Sequence, residues 1–287
     1  MSATSQKAVP SFRSRIGRDA RSGYPPVPRR YRLHLAPSCP RCLRIAVTHS
    51  LLGLEDVLPL TVLPAVPDAP HGGYEALRRL YGATSHQYPG PAAAPVLSDD
   101  WTGRIVSSHS PDILHDLTRR FGADSGARLH PDGAEQEIEA LALLCEQDVD
   151  AAAQRAGDSR ADGPAREAAL ATLAAGLGAL ERRLAGTEYL LGDELTAADV
   201  RLWVTLVQLD TVHRWHLDAA AVYRITDHPR LWSYARRLAA HPAFAPHLDL
   251  DGIARRHHAH CQGKEAAGAA IRIVDWPGTS GGRSGRN

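Results

Sequence analysis

The stretch YRLHLAPSCPRCLRIAVTHSLLGLE, residues 31–55, constrains the fold more than any other part of the chain. Its opening, with Arg30, reads RYRLHLA and alternates apolar and polar side chains as a half-buried strand requires. From Leu43 the period changes: Leu43, Ala46, Val47, Ser50, Leu51 and Leu54 recur at helical spacing, with Gly53 placed as a C-terminal cap. A strand therefore turns tightly into a helix, and Cys39 and Cys42 occupy the turn. The apolar run VLPLTV, residues 57–62, reads as a second strand, and parallel pairing across the helix makes a βαβ unit.

Downstream, residues 63–93 are dense in Pro, Gly and His and read as a long surface insertion. APVLSD and GRIVSS flank the turn DDWTG and predict an antiparallel hairpin. HSPDILHDLTRRFG then predicts a helix with Ser110 as N-cap and Pro111 in the first turn. These elements form one domain over 31–124, after a polar arm over 1–30. From Ala134 to about His260 strand-like alternation disappears, and amphipathic helices predict an all-helical domain over 134–262. Within it Thr196 and Asp199 have capping-box spacing, a folding signal. Residues 263–287 form a C-terminal extension whose end, PGTSGGRSGRN, reads as disordered.

Composition narrows the function. A chain of 287 residues, 44% of them hydrophobic, can bury two cores. The formal charge of +1 and the lack of like-charge runs give no reason to expect nucleic acid or an anionic membrane as partner. No apolar segment approaches the roughly 18 residues of a membrane span, and no apolar signal core opens the sequence, so a cytoplasmic setting is expected. The four cysteines, Cys39, Cys42, Cys145 and Cys261, are too few for a disulfide framework and are expected as thiols.

A cysteine opening a helix feels the positive end of the backbone dipole and nearby free amides, which favour its thiolate. Cys39 has that position, Pro40 fits the first turn, Arg41 adds a positive charge, and Cys42 lies one turn on, where it can attack a mixed disulfide on Cys39. Two alternatives stay open: two packed cysteines, or a zinc clip completed from His257, His258, His260 and Cys261. Ala94-Pro95 opens the third strand, opposite the cysteine turn in a thioredoxin-like sheet. A cis bond there would present the Ala94 backbone to a thiol substrate; the alternative is an ordinary proline at the first residue of a strand.

With these blocks in order, the chain from about Ser11 to Trp276 resembles the cytosolic glutathione transferases, within them the Xi class or glutathionyl-hydroquinone reductases. The resemblance rests on SFRSRIG, RYRLHLAPSCPRC, APVLSDDWTGRIVSSHSPDIL, YLLGDELTAADVRLWVTLVQLD, ITDHPRLWSYARRL and GIARRHHAHCQ. It implies a thioredoxin-like N-terminal domain joined to a C-terminal helical bundle, a homodimer, and an active site in the cleft between domains. It also implies a reaction in which Cys39 attacks the sulfur of a thiol conjugate of an aromatic or quinone-type electrophile. No cofactor is bound; glutathione or another low-molecular-weight thiol is co-substrate. Thiol-binding positions carried over are Arg41, Ala94, Pro95, Val96, His109 and Ser110; substrate-pocket positions are Gln154, His213, His257 and His258. The chain departs from the family at several of these. A cation replaces an aromatic residue at Arg41, His109-Ser110 replaces Glu-Ser, Gln154 and the histidines stand for tyrosines, and Cys42 replaces a non-cysteine residue. The last change points toward a glutaredoxin-like dithiol cycle, and the missing carboxylate toward a different thiol or a binding protein without turnover.

Overall fold

The computed structural model describes residues 11–17, 23–122, 126–261, 266 and 270–276. The chain divides into two compact units, Met1–Gly126 and Ala127–Asn287. The end of the C-terminal extension, 277–287, lies outside the described residues.

The first unit is built on a four-stranded sheet. Strand β1 (Tyr31–Leu35) buries Tyr31, Leu33 and Leu35, the alternate positions of its pattern. It leads into helix α1 (Pro40–Leu51), whose inner side, with Leu43, Ala46 and Val47 fully buried, packs back onto the sheet. Leu52 caps α1, and Gly53 follows with φ of +62°, a left-handed conformation that reverses the chain without a Cβ clash. Strand β2 (Leu60–Val62) then pairs parallel to β1, with Leu33 opposite Leu60. Strands β3 (Val96–Asp99) and β4 (Arg104–Ser107) form the antiparallel hairpin, and β3 pairs antiparallel to β1, giving the order β2-β1-β3-β4.

Residues 63–93 differ from the surface insertion that their composition suggests. They fold as short 3-10 turns and helix α2 (Arg78–Thr84), with Tyr74, Leu77 and Tyr81 buried. The spacing of those three apolar residues is helical, and the flanking prolines and glycines obscure it. The amide of Ile105 donates to Thr84 Oγ1 at 2.8 Å, tying α2 to β4.

Helix α3 (Ser110–Asp116) begins one residue earlier than expected: His109 is the N-cap and Ser110 the first helical residue. A π-helical turn, Leu117–Phe121, extends α3. Residues 11–17 of the N-terminal arm are pinned to this helix. Arg13 donates to both oxygens of Asp112 at 2.8 and 3.1 Å, Arg15 donates to Asp116 at 2.6 and 3.0 Å, and the amide of Ile16 donates to Asp116 at 2.9 Å. Arg30, on the sheet side, forms a buried two-pronged pair with Asp99 at 2.8 and 3.1 Å, under the exposed Trp101.

The second unit is helical among its described residues. Helices α4 (Glu135–Leu144) and α5 (Ala151–Ala156) are joined without a break by a π-helical segment, Cys145–Asp150. Helices α6 (Gly163–Arg183), α7 (Ala197–Thr211), α8 (Ala219–Thr226), α9 (Pro229–Ala239) and α10 (Leu250–Cys261) follow. The core forms around α7, where Leu202, Trp203, Leu206, Val207 and Leu209 are fully buried. Its start carries the capping box expected from Thr196 and Asp199. The Asp199 carboxylate does more than cap: it also accepts from the Leu190 amide and the Tyr234 hydroxyl, at 2.9 and 2.7 Å. At the far end of α7, Asp210 accepts from Trp276 Nε1 at 2.8 Å, which fastens the described part of the C-terminal extension.

Candidate functional site

The cysteine turn is set by backbone geometry. The Cys39 amide donates to the Ala36 carbonyl at 2.8 Å, and the Cys39 carbonyl accepts from Leu43 at 2.8 Å as the first bond of α1. Cys39 is the N-cap, with extended dihedrals and no side-chain cap bond, so its sulfur is not consumed in capping. Ser38 Oγ donates to the Ala65 carbonyl at 2.6 Å, holding the turn against the segment after β2. Of the cysteine pair only Cys39 keeps any exposure, at 5% against 0% for Cys42. The Cys42 thiol is hydrogen-bonded with Cys39, and that contact, together with burial, pushes its pKa well above the ordinary thiol value. The Ala36 backbone amide and the Arg41 charge act in the opposite sense, and the Arg41 side chain itself is exposed.

Beside the turn stands the start of β3. The Ala94-Pro95 bond is cis, as the sequence suggests, and Val96 is fully buried opposite His34 of β1. Tyr81 of α2, absent from the sequence-derived candidates, donates its hydroxyl to the Ala93 carbonyl at 2.7 Å and also meets Ser108. Burial and Tyr88 push the Tyr81 phenol up to about 12, with Arg41 opposing, so the phenol stays protonated and donates. Phe12, Tyr81 and Tyr88 form an aromatic group with ring separations of 4.7 to 5.5 Å. A cavity of about 490 Å³ opens on Tyr81, Tyr88, Arg78 and Gln87.

At the start of α3 the Ser110 hydroxyl is buried without a hydrogen-bond partner. Capping, the bland role open to Ser110 on sequence, is therefore absent, since the N-cap position belongs to His109. A buried hydroxyl left unpaired costs about 1–3 kcal/mol, a cost that a ligand supplying the partner would remove. His109 Nδ1 lies 3.1 Å from Asp112 Oδ2, off the line of a good hydrogen bond but within ion-pair reach. The Arg13 guanidinium holds the Asp112 carboxyl below the usual range, with His109 and Arg15 adding to the effect. Asp112 thus places a carboxylate one helical turn beyond His109.

In the second unit the structure brings three of the four substrate-pocket candidates into one group. His213 and His257 are buried and His258 is exposed; His257 meets His216 edge to face at 5.0 Å, and both His257 and His258 approach Trp215, at 6.1 and 5.7 Å. Burial, then His216 and His257, pull the His213 imidazole down to about 4, so it is neutral near pH 7. Gly157 lets α5 approach this group, because a Cβ there would stand 2.8 Å from His216 Cβ. Gln154, the fourth candidate, is exposed on α5. Among the described residues no group of three or more His, Cys, Asp or Glu side chains is arranged to hold a metal ion, and no helix is long and apolar enough to cross a membrane.

Comparison with known proteins adds an independent line. Residues 163–237 match the family described as the glutathione S-transferase C-terminal domain. The chain is 31% identical over 278 residues to glutathionyl-hydroquinone reductase PcpF of Sphingobium chlorophenolicum, covering 91% of this chain and 86% of that protein. It is 29% identical over 247 residues to glutathionyl-hydroquinone reductase YqjG of Escherichia coli, covering 80% and 74%. Among solved structures, a glutathione transferase from Gordonia bronchialis superposes with a TM-score of 0.77 at 30% identity, covering 88% of this chain and 84% of that one. The glutathione-bound YqjG structure gives 0.74 at 26% identity, covering 86% and 87%.

Proposed function

The chain belongs to the Xi class of glutathione transferases, the family of the glutathionyl-hydroquinone reductases, and from that premise we propose that it is a glutathione-dependent reductase acting through Cys39. The Cys39 thiolate attacks the sulfur of a glutathionyl-hydroquinone. The carbon–sulfur bond breaks, the aromatic carbon takes the electron pair and a proton from solvent, and glutathione stays on Cys39 as a mixed disulfide. A second glutathione thiolate attacks the glutathione sulfur, forms oxidised glutathione and returns Cys39.

The observation that carries this reading is the environment of Cys39: an N-cap sulfur at the positive end of α1, hydrogen-bonded with the Cys42 thiol. Both contacts favour negative charge on sulfur. Glutathione as the thiol is supported by the unpartnered Ser110 hydroxyl, suited to its free carboxylate, and by Asp112 beside His109, suited to its ammonium group. Arg41 and the 94–96 backbone complete the proposed thiol subsite. The aromatic half is assigned to Gln154, His213, His257 and His258, a reading supported by the grouping of the three histidines. A homodimer in the cytoplasm belongs to the same proposal.

The test is turnover of glutathionyl-hydroquinone with glutathione, following hydroquinone and oxidised glutathione together. Equal amounts of both products from the natural chain and none from Cys39→Ser are expected; unchanged turnover in Cys39→Ser overturns the proposal.

A further inference from the structure

The proposed reductase cycle needs only one enzyme sulfur, yet the chain holds a second beside it. Cys42 is three positions past Cys39, on the same side of the first turn of α1, fully buried, and hydrogen-bonded sulfur to sulfur with Cys39. A cysteine used only as filler packs against carbon. This one has two polar neighbours, the Cys39 thiol and the Ala36 backbone amide, the latter a donor that favours negative charge on its sulfur. The titratable and charged groups that act on it are Cys39 and Arg41. Because Cys42 has no exposure and Cys39 has some, an outside disulfide meets Cys39 first.

We propose that Cys42 is a resolving thiol that gives the chain a dithiol–disulfide reductase activity toward disulfides of low-molecular-weight thiols, in addition to its action on thiol conjugates. The inference rests on the reading of Cys39 as the reacting sulfur. Cys39 attacks the disulfide RS–SR, one sulfur–sulfur bond breaks and another forms, and RS− leaves with Cys39–S–SR behind. Cys42 then loses its proton to solvent and attacks the Cys39 sulfur. The Cys39–Cys42 bond forms as the second RS− departs, so the disulfide has gained two electrons and the enzyme pair has lost two. Two glutathione molecules restore the pair: the first opens the bond and forms a mixed disulfide on Cys39, and the second displaces it as oxidised glutathione. The donor contact also orders the events. While Cys39 is a free thiolate, the Cys42 proton is shared with it; once Cys39 carries a substituent that acceptor is lost, and Cys42 is released to ionise.

The experiment uses the full-length, fully reduced protein, with oxidised glutathione as the probe. After brief exposure the reaction is quenched in acid, unfolded, alkylated with iodoacetamide and mapped by peptide mass spectrometry without reductant. The expected result is a Cys39–Cys42 disulfide in the natural chain, with released glutathione and little lasting adduct, and a stable glutathionyl group on Cys39 in Cys42→Ser. Cys42→Ala serves as a second variant, with folding of both checked by circular dichroism. A lasting glutathionyl group on Cys39 of the natural chain, with Cys42 alkylated, overturns this inference and leaves the function proposed above standing. Absence of any adduct or disulfide at Cys39 in the natural chain and in a folded variant overturns both. The natural chain decides by itself if neither variant folds.

Discussion

His109 Nδ1 and Asp112 Oδ2 lie 3.1 Å apart across the first turn of α3, and the same carboxylate is gripped by Arg13 of the N-terminal arm. A side chain that looks wrong for binding an ammonium group therefore has an acid directly behind it. The neighbouring Ser110 hydroxyl, buried and unpartnered, is the sharper probe of this corner. Ser110→Ala should leave urea stability unchanged or slightly raised, because no bond is lost in the free protein. Glutathione affinity by calorimetry should fall about fivefold to tenfold, the worth of one hydrogen bond of about 1 kcal/mol. Loss of stability without loss of affinity would show that the hydroxyl is structural.

Labelling of Cys39 by iodoacetamide, followed against pH by peptide mass spectrometry, should show a midpoint below about 8.5, the value of a free cysteine. Cys42→Ala, which removes the thiol donor, should move that midpoint upward. A midpoint unmoved by the substitution would mean that the sulfur-to-sulfur contact does not stabilise the thiolate.

The resolving step calls for Cys42 to lose its proton; the bond with Cys39 raises its pKa in the free protein, and burial continues to raise it once that bond is lost. Closure of the Cys39–Cys42 disulfide, timed by quenched flow after mixing with oxidised glutathione, should therefore accelerate as pH rises from 7 to 9. A flat profile would contradict thiolate attack by Cys42.

His213 gives a prediction for stability. Its folded value of about 4 lies below the 6.5 of an exposed imidazole, so the unfolded chain takes up the proton first as the medium is acidified. The stability tied to neutral His213 is present above pH 6.5 and disappears as pH falls toward 4. Between pH 7 and pH 5 this residue should account for a loss of about 2 kcal/mol in urea unfolding. His213→Phe should flatten the profile by that amount, leaving the contribution of His34, which is likewise lowered to about 4 by burial and Arg32.

Asp199 accepts from the Thr196 amide and hydroxyl, the Leu190 amide and the Tyr234 hydroxyl, and is itself fully buried. Asp199→Ala strands several buried donors and should destabilise the helical unit by about 3 kcal/mol or more. Tyr234→Phe, which removes one donor and leaves the capping box intact, should cost about 1 kcal/mol. Thermal unfolding of both variants separates the capping contribution from the tyrosine bond.

Local signals made much of this architecture legible in the sequence. Period and turn chemistry give β1, α1, the β3–β4 hairpin and the capping box, because each depends on residues close together in the chain. The cysteine turn is legible for the same reason. Helix α2 and the turn before it are not, since their buried residues Tyr74, Leu77 and Tyr81 are set among prolines and glycines that read as loop. Nor are Arg13 and Arg15 with Asp112 and Asp116: pairs separated by about a hundred positions leave no local trace in a chain rich in arginine. The one-residue shift at the start of α3 reassigns Ser110 from cap to open hydroxyl, a difference that only the backbone course could reveal.

The π-helical segment Cys145–Asp150 carries surplus length between α4 and α5. Deleting one residue within it would close the segment to ordinary α-helical turns and leave α5 in its present rotational phase, because the wider turn already absorbs one extra residue. Ala152 and Ala153 would keep facing the interior, with Gln154 and Arg155 toward water. One residue of slack is thus taken up locally, without turning α5.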